Sequence, residues 1–352
     1  MQFACIDQHI SVVADLRSTF TRFGHTIKEY SLSGHSPVIG RPNAKIPMLM
    51  GDNWCNTIQT PEKFYEAYKD EFNKFDAFIC CYPPIFSMLY EKFNKPILIY
   101  IPIRYECGAD NNPDLWRKFN SFLQRDNVFL TANNLFDKKY TEGFINKEVE
   151  HIPSLCDYTG MTYNPTNEQF LYFAGFKIND ESGRMILKHD ALKAGHAWQS
   201  VADYKGCIHF PYNISVMSVF EQYTANIPLF FPSKRYLLEL WLNKVPVLDQ
   251  WSWHSSNKQV PKSLIEHKHE QDPNNYADFN IVSNWLVYAD YYSGVLPLIQ
   301  YFDSKEEREA ILGLSVKSLL NISEEMRAGN WLRKNKVYGQ WARVLDRIHN
   351  AL

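Results

Sequence analysis

The chain has 352 residues and a formal net charge of −2, with 45% hydrophobic, 22% charged and 15% aromatic residues. That length accommodates two domains of common size. The near-neutral charge excludes a broad basic surface for nucleic acid, and no apolar run approaches the roughly 20 residues that span a bilayer.

Gln2 to Ile6 reads as a short apolar strand ending at Asp7-Gln8-His9. Ser11 is placed to cap the helix that follows, whose buried stripe is Val12, Val13, Leu16, Phe20 and Phe23. Gly24 ends it, and His25-Thr26-Ile27 opens a second strand. No G-x-G-x-x-G follows the first strand, so a dinucleotide fingerprint is absent. Residues 31–56 are rich in Gly and Pro and read as an irregular loop, in which His35, Asp52 and Trp54 meet either an acceptor or solvent. Beyond it, helical stretches starting at Pro61, Pro84, Pro113 and Leu135 alternate with apolar strands at 76–81, 96–101, 128–132 and 149–152. Continuous apolar strands separated by helices predict a parallel sheet covered on both faces. Ligands of such sheets bind beyond the strand C-termini. Arg104, just past PILIYI, is therefore a candidate functional residue, and its alternative is an ion pair with Glu106.

Pro153 closes the first half, and Asp157 to Glu168 reads as a linker. The second half opens with the apolar FLYFA and then Gly175-Phe176-Lys177. Cys207, Ile208 and Phe210 make another short strand, which Pro211-Tyr212-Asn213 breaks. Ser215 is positioned as N-cap of a helix running to about Asn226. Val216, Val219, Phe220 and Tyr223 share one face; Ser215, Ser218, Glu221 and Gln222 share the other, which is expected to look into solvent or a cleft. Pro228 to Phe231 reads as a buried strand. A helix that starts right after a strand, with hydroxyls in its first turn, favours phosphate. A carboxylate further along is placed for the hydroxyls of a ribose or sugar. Ser233 starts the next helix, and Trp251-Ser252-Trp253-His254 is an aromatic, polar loop. Glu266 to Glu270 holds ligand-type residues, but two His at i, i+2 do not converge on a metal. Ser304 begins a helix as Ser-x-x-Glu with Glu307, and helices over 323–327 and 331–348 end the chain.

The seven cysteines are odd in number and form no C-x-x-C pair; several sit in apolar strands. This predicts buried free thiols in a reducing, cytoplasmic setting. Met1 to Ile10 lacks the charged start and apolar stretch of a signal peptide. The sequon Asn213-Ile214-Ser215 would be awkward in a secretory lumen and points the same way.

The run IHFPYNISVMSVFEQYTANIPLFFPS resembles the donor-site motif of GT-B glycosyltransferases: small or hydroxyl residues, a Glu on a helix, then a G-x-P-V turn into a strand. Ser215, Ser218, Glu221 and Asn226-Ile227-Pro228-Leu229 take those places. The opening strand, helix and Gly24-His25-x-Ile27, the Ile152-Pro153 turn and the turn at Gly175 resemble other parts of the same architecture. The resemblance implies an α/β protein of two Rossmann-like domains facing across a cleft. Residues 1–156 would form the acceptor side, 157–168 the linker, 169–330 the nucleotide-sugar domain, and 331–352 a helix returning to the first domain. It implies a glycosyltransferase that moves a sugar from a UDP-, GDP- or dTDP-sugar to a glycan or other hydroxyl acceptor, with no bound cofactor.

On this resemblance the donor-binding residues are Gly175, Lys177, Tyr212, Asn213, Ser215, Ser218 and Glu221. Lys177, Arg184 and Lys188 are alternative partners for the diphosphate, and spacing does not choose between them. Asp7, His9 and Arg104 are the catalytic candidates on the acceptor side. Retaining members often carry a second Glu eight positions before the first; here Asn213 stands there, so the anomeric outcome stays open. An inverting enzyme would use Asp7 or His9 as general base. No Asp-x-Asp occurs, so no divalent metal is expected, and the leaving-group charge would be met by Lys177 or its neighbours and a helix N-terminus. Two other readings fit the same scaffold. A nucleotide-sugar epimerase would need no acceptor, and a non-catalytic sugar- or partner-binding module would be stabilised by no nucleotide.

Overall fold

The computed structural model describes the chain except residues 33–45, 50–56, 110–111, 179, 181, 194, 251–264 and 269–270. His35, Asp52, Trp54, the Trp251–His254 loop, His269 and Glu270 thus lie outside the described residues. The chain forms two compact units. The first holds Met1–Ser154, Val337–Leu352 and the described residues between Asn257 and Asn275; the second holds the rest.

Each unit is Rossmann-like, a parallel sheet with helices. The first sheet contains β1 (Gln2–Asp7), β2 (Thr26–Ser31), β3 (Ala77–Cys80), β4 (Ile97–Ile101), β5 (Val128–Ala132) and β6 (Glu150–His151). Their order is β2-β1-β3-β4-β5-β6, and every pairing is parallel. β3, β4 and β5 are buried at every residue, which is why they read as unbroken apolar runs rather than as alternating ones. The second sheet contains β7 (Phe170–Phe173), β8 (Met185–Leu187), β9 (Cys207–His209), β10 (Leu229–Pro232) and β11 (Gln300–Phe302), in the order β11-β10-β9-β7-β8. It too is parallel throughout.

Several local expectations change. His9, not Ser11, is the N-cap of the Ile10–Arg22 helix. Pro84–Phe93 winds as a 3-10 helix, with Ser87 Oγ bonded back to the Pro84 carbonyl. The two helices expected at the C-terminus are one, Val316–His349, of 34 residues. Within the first unit, the Trp341 ring packs edge-on against Phe20 at 5.2 Å and Tyr100 at 5.5 Å, and Gln340 donates to the His151 carbonyl at 2.7 Å. Residues read as a linker pack inside the second unit. Tyr163 is buried and donates to the Lys205 carbonyl at 2.7 Å, and Asn164 N–H donates to the Ala202 carbonyl. Ser233 and Ser304 do cap their helices, accepting from Tyr236 and Glu307 N–H, and Glu307 returns a bond to Asp303 N–H at 2.7 Å. Cys5, Cys80, Cys81, Cys107, Cys156 and Cys207 are buried free thiols. No helix among the described residues is long and apolar enough to cross a membrane.

Candidate functional site

In an open parallel sheet, loops from two neighbouring strands part where the strand order reverses, and the gap at their C-terminal ends accepts ligands. Each sheet has such a point. In the second, β7 lies between β8 and β9. The loops leaving β7 and β9 there enclose a cavity of about 330 Å³. Phe173 ends β7, with Ala174 and Gly175 after it, and His209 ends β9, with Phe210, Pro211 and Tyr212 after it. Lys188 and His189 follow β8, and Val216, Ser218 and Val219 belong to the start of the Met217–Thr224 helix. Leu248 and Gln250 N–H bond to the Pro211 and Tyr212 carbonyls, both at 2.9 Å, which fixes one rim.

Of the donor-binding residues expected from sequence, Gly175, Tyr212 and Ser218 line this cavity. Lys177 does not. Its ammonium is exposed and sits 3.1 Å from the Asp190 carboxylate. Lys188 is the cation that reaches the lining. Asn213 is half-buried and accepts Ile214 N–H at 2.8 Å and, through its carbonyl, the Tyr291 hydroxyl at 3.1 Å. Ser215 is not the N-cap: Val216 holds that place, with no side-chain cap bond.

Of the helix face expected to look into solvent or a cleft, Ser218 lines the cavity, whereas Glu221 and Gln222 are buried. Val216 and Val219 also edge the cavity. Glu221 accepts a hydrogen bond from the Tyr158 hydroxyl and is not part of the cavity wall. This corrects the donor-hydroxyl role assigned to it. A hydrogen bond to a charged group contributes roughly 1.5–3 kcal/mol. Tyr158→Phe is therefore expected to lower the thermal midpoint while leaving nucleotide affinity within about twofold, a difference of ~0.4 kcal/mol. A Tyr158→Phe protein that melts as the parent but binds nucleotide poorly would return Glu221 to the ligand site.

His209 was missed by the sequence reading. It is buried at the end of β9, stacked on Phe173 at 4.7 Å on one side and on Phe231 at 4.6 Å on the other. Its Nε2 lies 2.7 Å from Gln222 Oε1. Burial lowers its pKa to about 4, against the opposing effect of the Gln222 bond, so the ring is neutral at pH 7. A polar residue within an otherwise apolar strand was the signal available.

In the first sheet the reversal falls at β1, between β2 and β3. Asp7 ends β1 and is fully buried. Its Oδ1 accepts His9 N–H at 2.6 Å, while Oδ2 has no hydrogen-bond partner among the described residues. Burial pushes its pKa up to about 7; the His9 N–H bond opposes that rise and the nearby Glu29 adds to it. His9 is half-buried, with its ring edge-on to Tyr82 at 5.9 Å. The Gln8 N–H bond to the Tyr82 carbonyl, 2.7 Å, ties this turn to the loop after β3.

Arg104 follows β4, two strands over from β1. It is 1% exposed, paired with Asp137 at 2.9 Å and stacked over Phe136 at 4.9 Å. Asp137 is further held by Asn134, and Glu106 accepts instead from the Tyr140 hydroxyl. The Arg104 guanidinium is thus part of a buried network, and removing one member of such a pair costs about 3–5 kcal/mol. This geometry corrects its assignment as a substrate contact. His267, from the histidine cluster near residue 268, is buried against Phe144 at 4.6 Å.

No protein-family model and no curated protein sequence matches the chain. Among solved structures, the chain is similar to the glycotransferase of kitacinnamycin, at 9% identity and TM-score 0.46, over 99% of this chain and 98% of that one. It is also similar to the glycosyltransferase SnogD from Streptomyces nogalater, at 9% identity and TM-score 0.37, over 68% and 84% of the two chains. A third is the spinosyn rhamnosyltransferase SpnG complexed with thymidine diphosphate, at 8% identity and TM-score 0.40, over 93% and 96%.

Proposed function

We propose that the protein is a glycosyltransferase that takes a sugar from a nucleotide-sugar donor and passes it to a hydroxyl acceptor. The observation that carries this is the cavity at the reversal point of the second sheet. Its wall combines aromatic rings (Phe173, Tyr212), a hydroxyl (Ser218) and a cation (Lys188). Those are the groups that a base, a sugar hydroxyl and a diphosphate respectively require. Lys188 takes the part expected of Lys177.

The first unit supplies the acceptor chemistry in this reading. The acceptor oxygen attacks the anomeric carbon as a general base takes its proton and the bond to the diphosphate breaks; His9 is the candidate base of the first unit. Lys188 meets the charge that develops on the leaving phosphate. Asp7 positions His9 by holding its backbone N–H. Inversion at the anomeric carbon follows from a single displacement with a base. No metal enters this scheme, so transfer is expected to continue in chelator.

The test is a melting series with UDP-, GDP- and dTDP-sugars on the parent and on Gly175→Leu. A Cβ at Gly175 meets nothing within 4 Å, and the residue is not in the left-handed region. A larger side chain there projects into open space without strain. At ligand concentrations of 100 times Kd, binding stabilises by about 2.7 kcal/mol, which is a shift of several degrees. The parent is expected to shift with one of the three, and Gly175→Leu to melt normally yet shift with none. A variant that still responds in full would place the donor elsewhere.

A further inference from the structure

We propose that His209 sets donor specificity: its Nδ1, held unprotonated by the Gln222 contact at Nε2, accepts a hydrogen bond from an N–H or O–H of the bound nucleotide-sugar. The inference rests on the donor reading of the cavity and adds the group that recognises an uncharged part of the ligand.

The argument begins with register. Phe173 pairs with His209 across β7 and β9, and Phe230 pairs with Ile208 across β10 and β9. Residues 173, 209 and 231 therefore form one row. Neighbouring strands lie about 4.7–4.9 Å apart, and the rings repeat that spacing: 4.7 Å from Phe173 to His209, 4.6 Å on to Phe231, and 4.9 Å on to Tyr291. Interplanar angles of 14°, 5° and 13° make this one continuous stack, which leaves the imidazole no room to tilt.

The stack fixes the plane, and Gln222 fixes the proton. An amide oxygen only accepts, so the 2.7 Å contact between Gln222 Oε1 and His209 Nε2 places the hydrogen on Nε2. The remaining nitrogen carries a lone pair and makes no hydrogen bond among the described residues. His209 is also part of the cavity wall. The ring is neutral, as burial requires, so it does not act as a cation toward phosphate. It is an acceptor of fixed orientation in a wall that also holds the Asp249 carboxylate and the Gln250 amide. A residue that merely filled the row could be Phe, with no buried polar pair to satisfy.

Asn and Gln substitutions separate the two nitrogens, because an Asn side chain places its polar atoms near Nδ1 and a Gln side chain near Nε2. The probe is whichever of UDP, GDP and dTDP most raises the melting point of the parent, titrated by calorimetry. His209→Asn is expected to bind within about threefold of the parent, and His209→Gln about five- to tenfold more weakly, the loss of one neutral hydrogen bond. Equal losses, or the reverse order, overturn the proposal while leaving the donor cavity in place. Should either variant fail to fold, ¹⁵N-histidine spectra of the parent decide. A pyridine-type Nδ1 resonance that moves on adding nucleotide supports the assignment; a protonated or unresponsive Nδ1 overturns it. If the parent binds none of the three nucleotides, the donor reading itself falls, and this inference with it.

Discussion

Replacing His9 with alanine is expected to lower the rate of sugar transfer by about 100- to 10,000-fold, the usual worth of a positioned general base. Nucleotide binding should be untouched, since the described residues that line the proposed donor cavity all fall within 173–250. The argument is one of access. Asp7 has the perturbed carboxyl but is fully buried. His9 is half-buried, sits at the reversal point of its sheet, and is gripped through its backbone N–H by Asp7 at 2.6 Å. Of the two, the imidazole is the less buried and is the one proposed as the base. The measurement is initial rate at saturating donor, with the anomeric configuration of the product read in parallel. A variant that keeps its rate within threefold, or a retained configuration, would remove the base from the mechanism.

The fold was readable because its strands are buried on both faces. ILIYI and VFLTA have no polar alternation, and such runs between helices admit little except a covered parallel sheet. The ends of the first strand of each half were also readable, at Asp7 and just before Gly175, whereas the strand order that makes them reversal points was not. What stayed hidden depended on partners distant in sequence. The 217–224 helix is buried on most of its surface, so its apolar stripe could not say which side met the core. Glu221 is satisfied by Tyr158, 63 residues away, and Gln222 by His209. Nearness in sequence offers Arg104 the partner Glu106, two residues on, but its partner is Asp137, 33 residues on. Lys177 and Lys188 both follow the glycine turn, and only the folded β7 and β8 loops send Lys188 into the cavity wall and Lys177 to Asp190. Periodicity reports one face of an element, whereas these choices were made by a third element packing on top.

Asp7→Asn is expected to change how stability depends on pH by up to about 4 kcal/mol, taking 1.36 kcal/mol for each unit between 3.8 and about 7. The direction follows from which state holds the proton. Burial raises the carboxyl in the folded chain to about 7, while the unfolded chain titrates near 3.8. Between those values the folded state binds more protons than the unfolded one. The contribution is therefore fully present below about pH 4 and is lost as pH rises toward and through about 7. Asparagine is neutral throughout and keeps an oxygen for His9 N–H. Urea midpoints of the parent should thus fall from pH 4 to pH 8 relative to those of the variant. Parallel curves would mean that the Asp7 carboxyl is ionised in the fold at ordinary cost. At pH 8 the variant should be the more stable protein, and the His9 geometry should be retained. If it is then also the slower enzyme, the burial of an ionisable group at the end of β1 serves the chemistry at the expense of the fold, as expected of a site that positions a base.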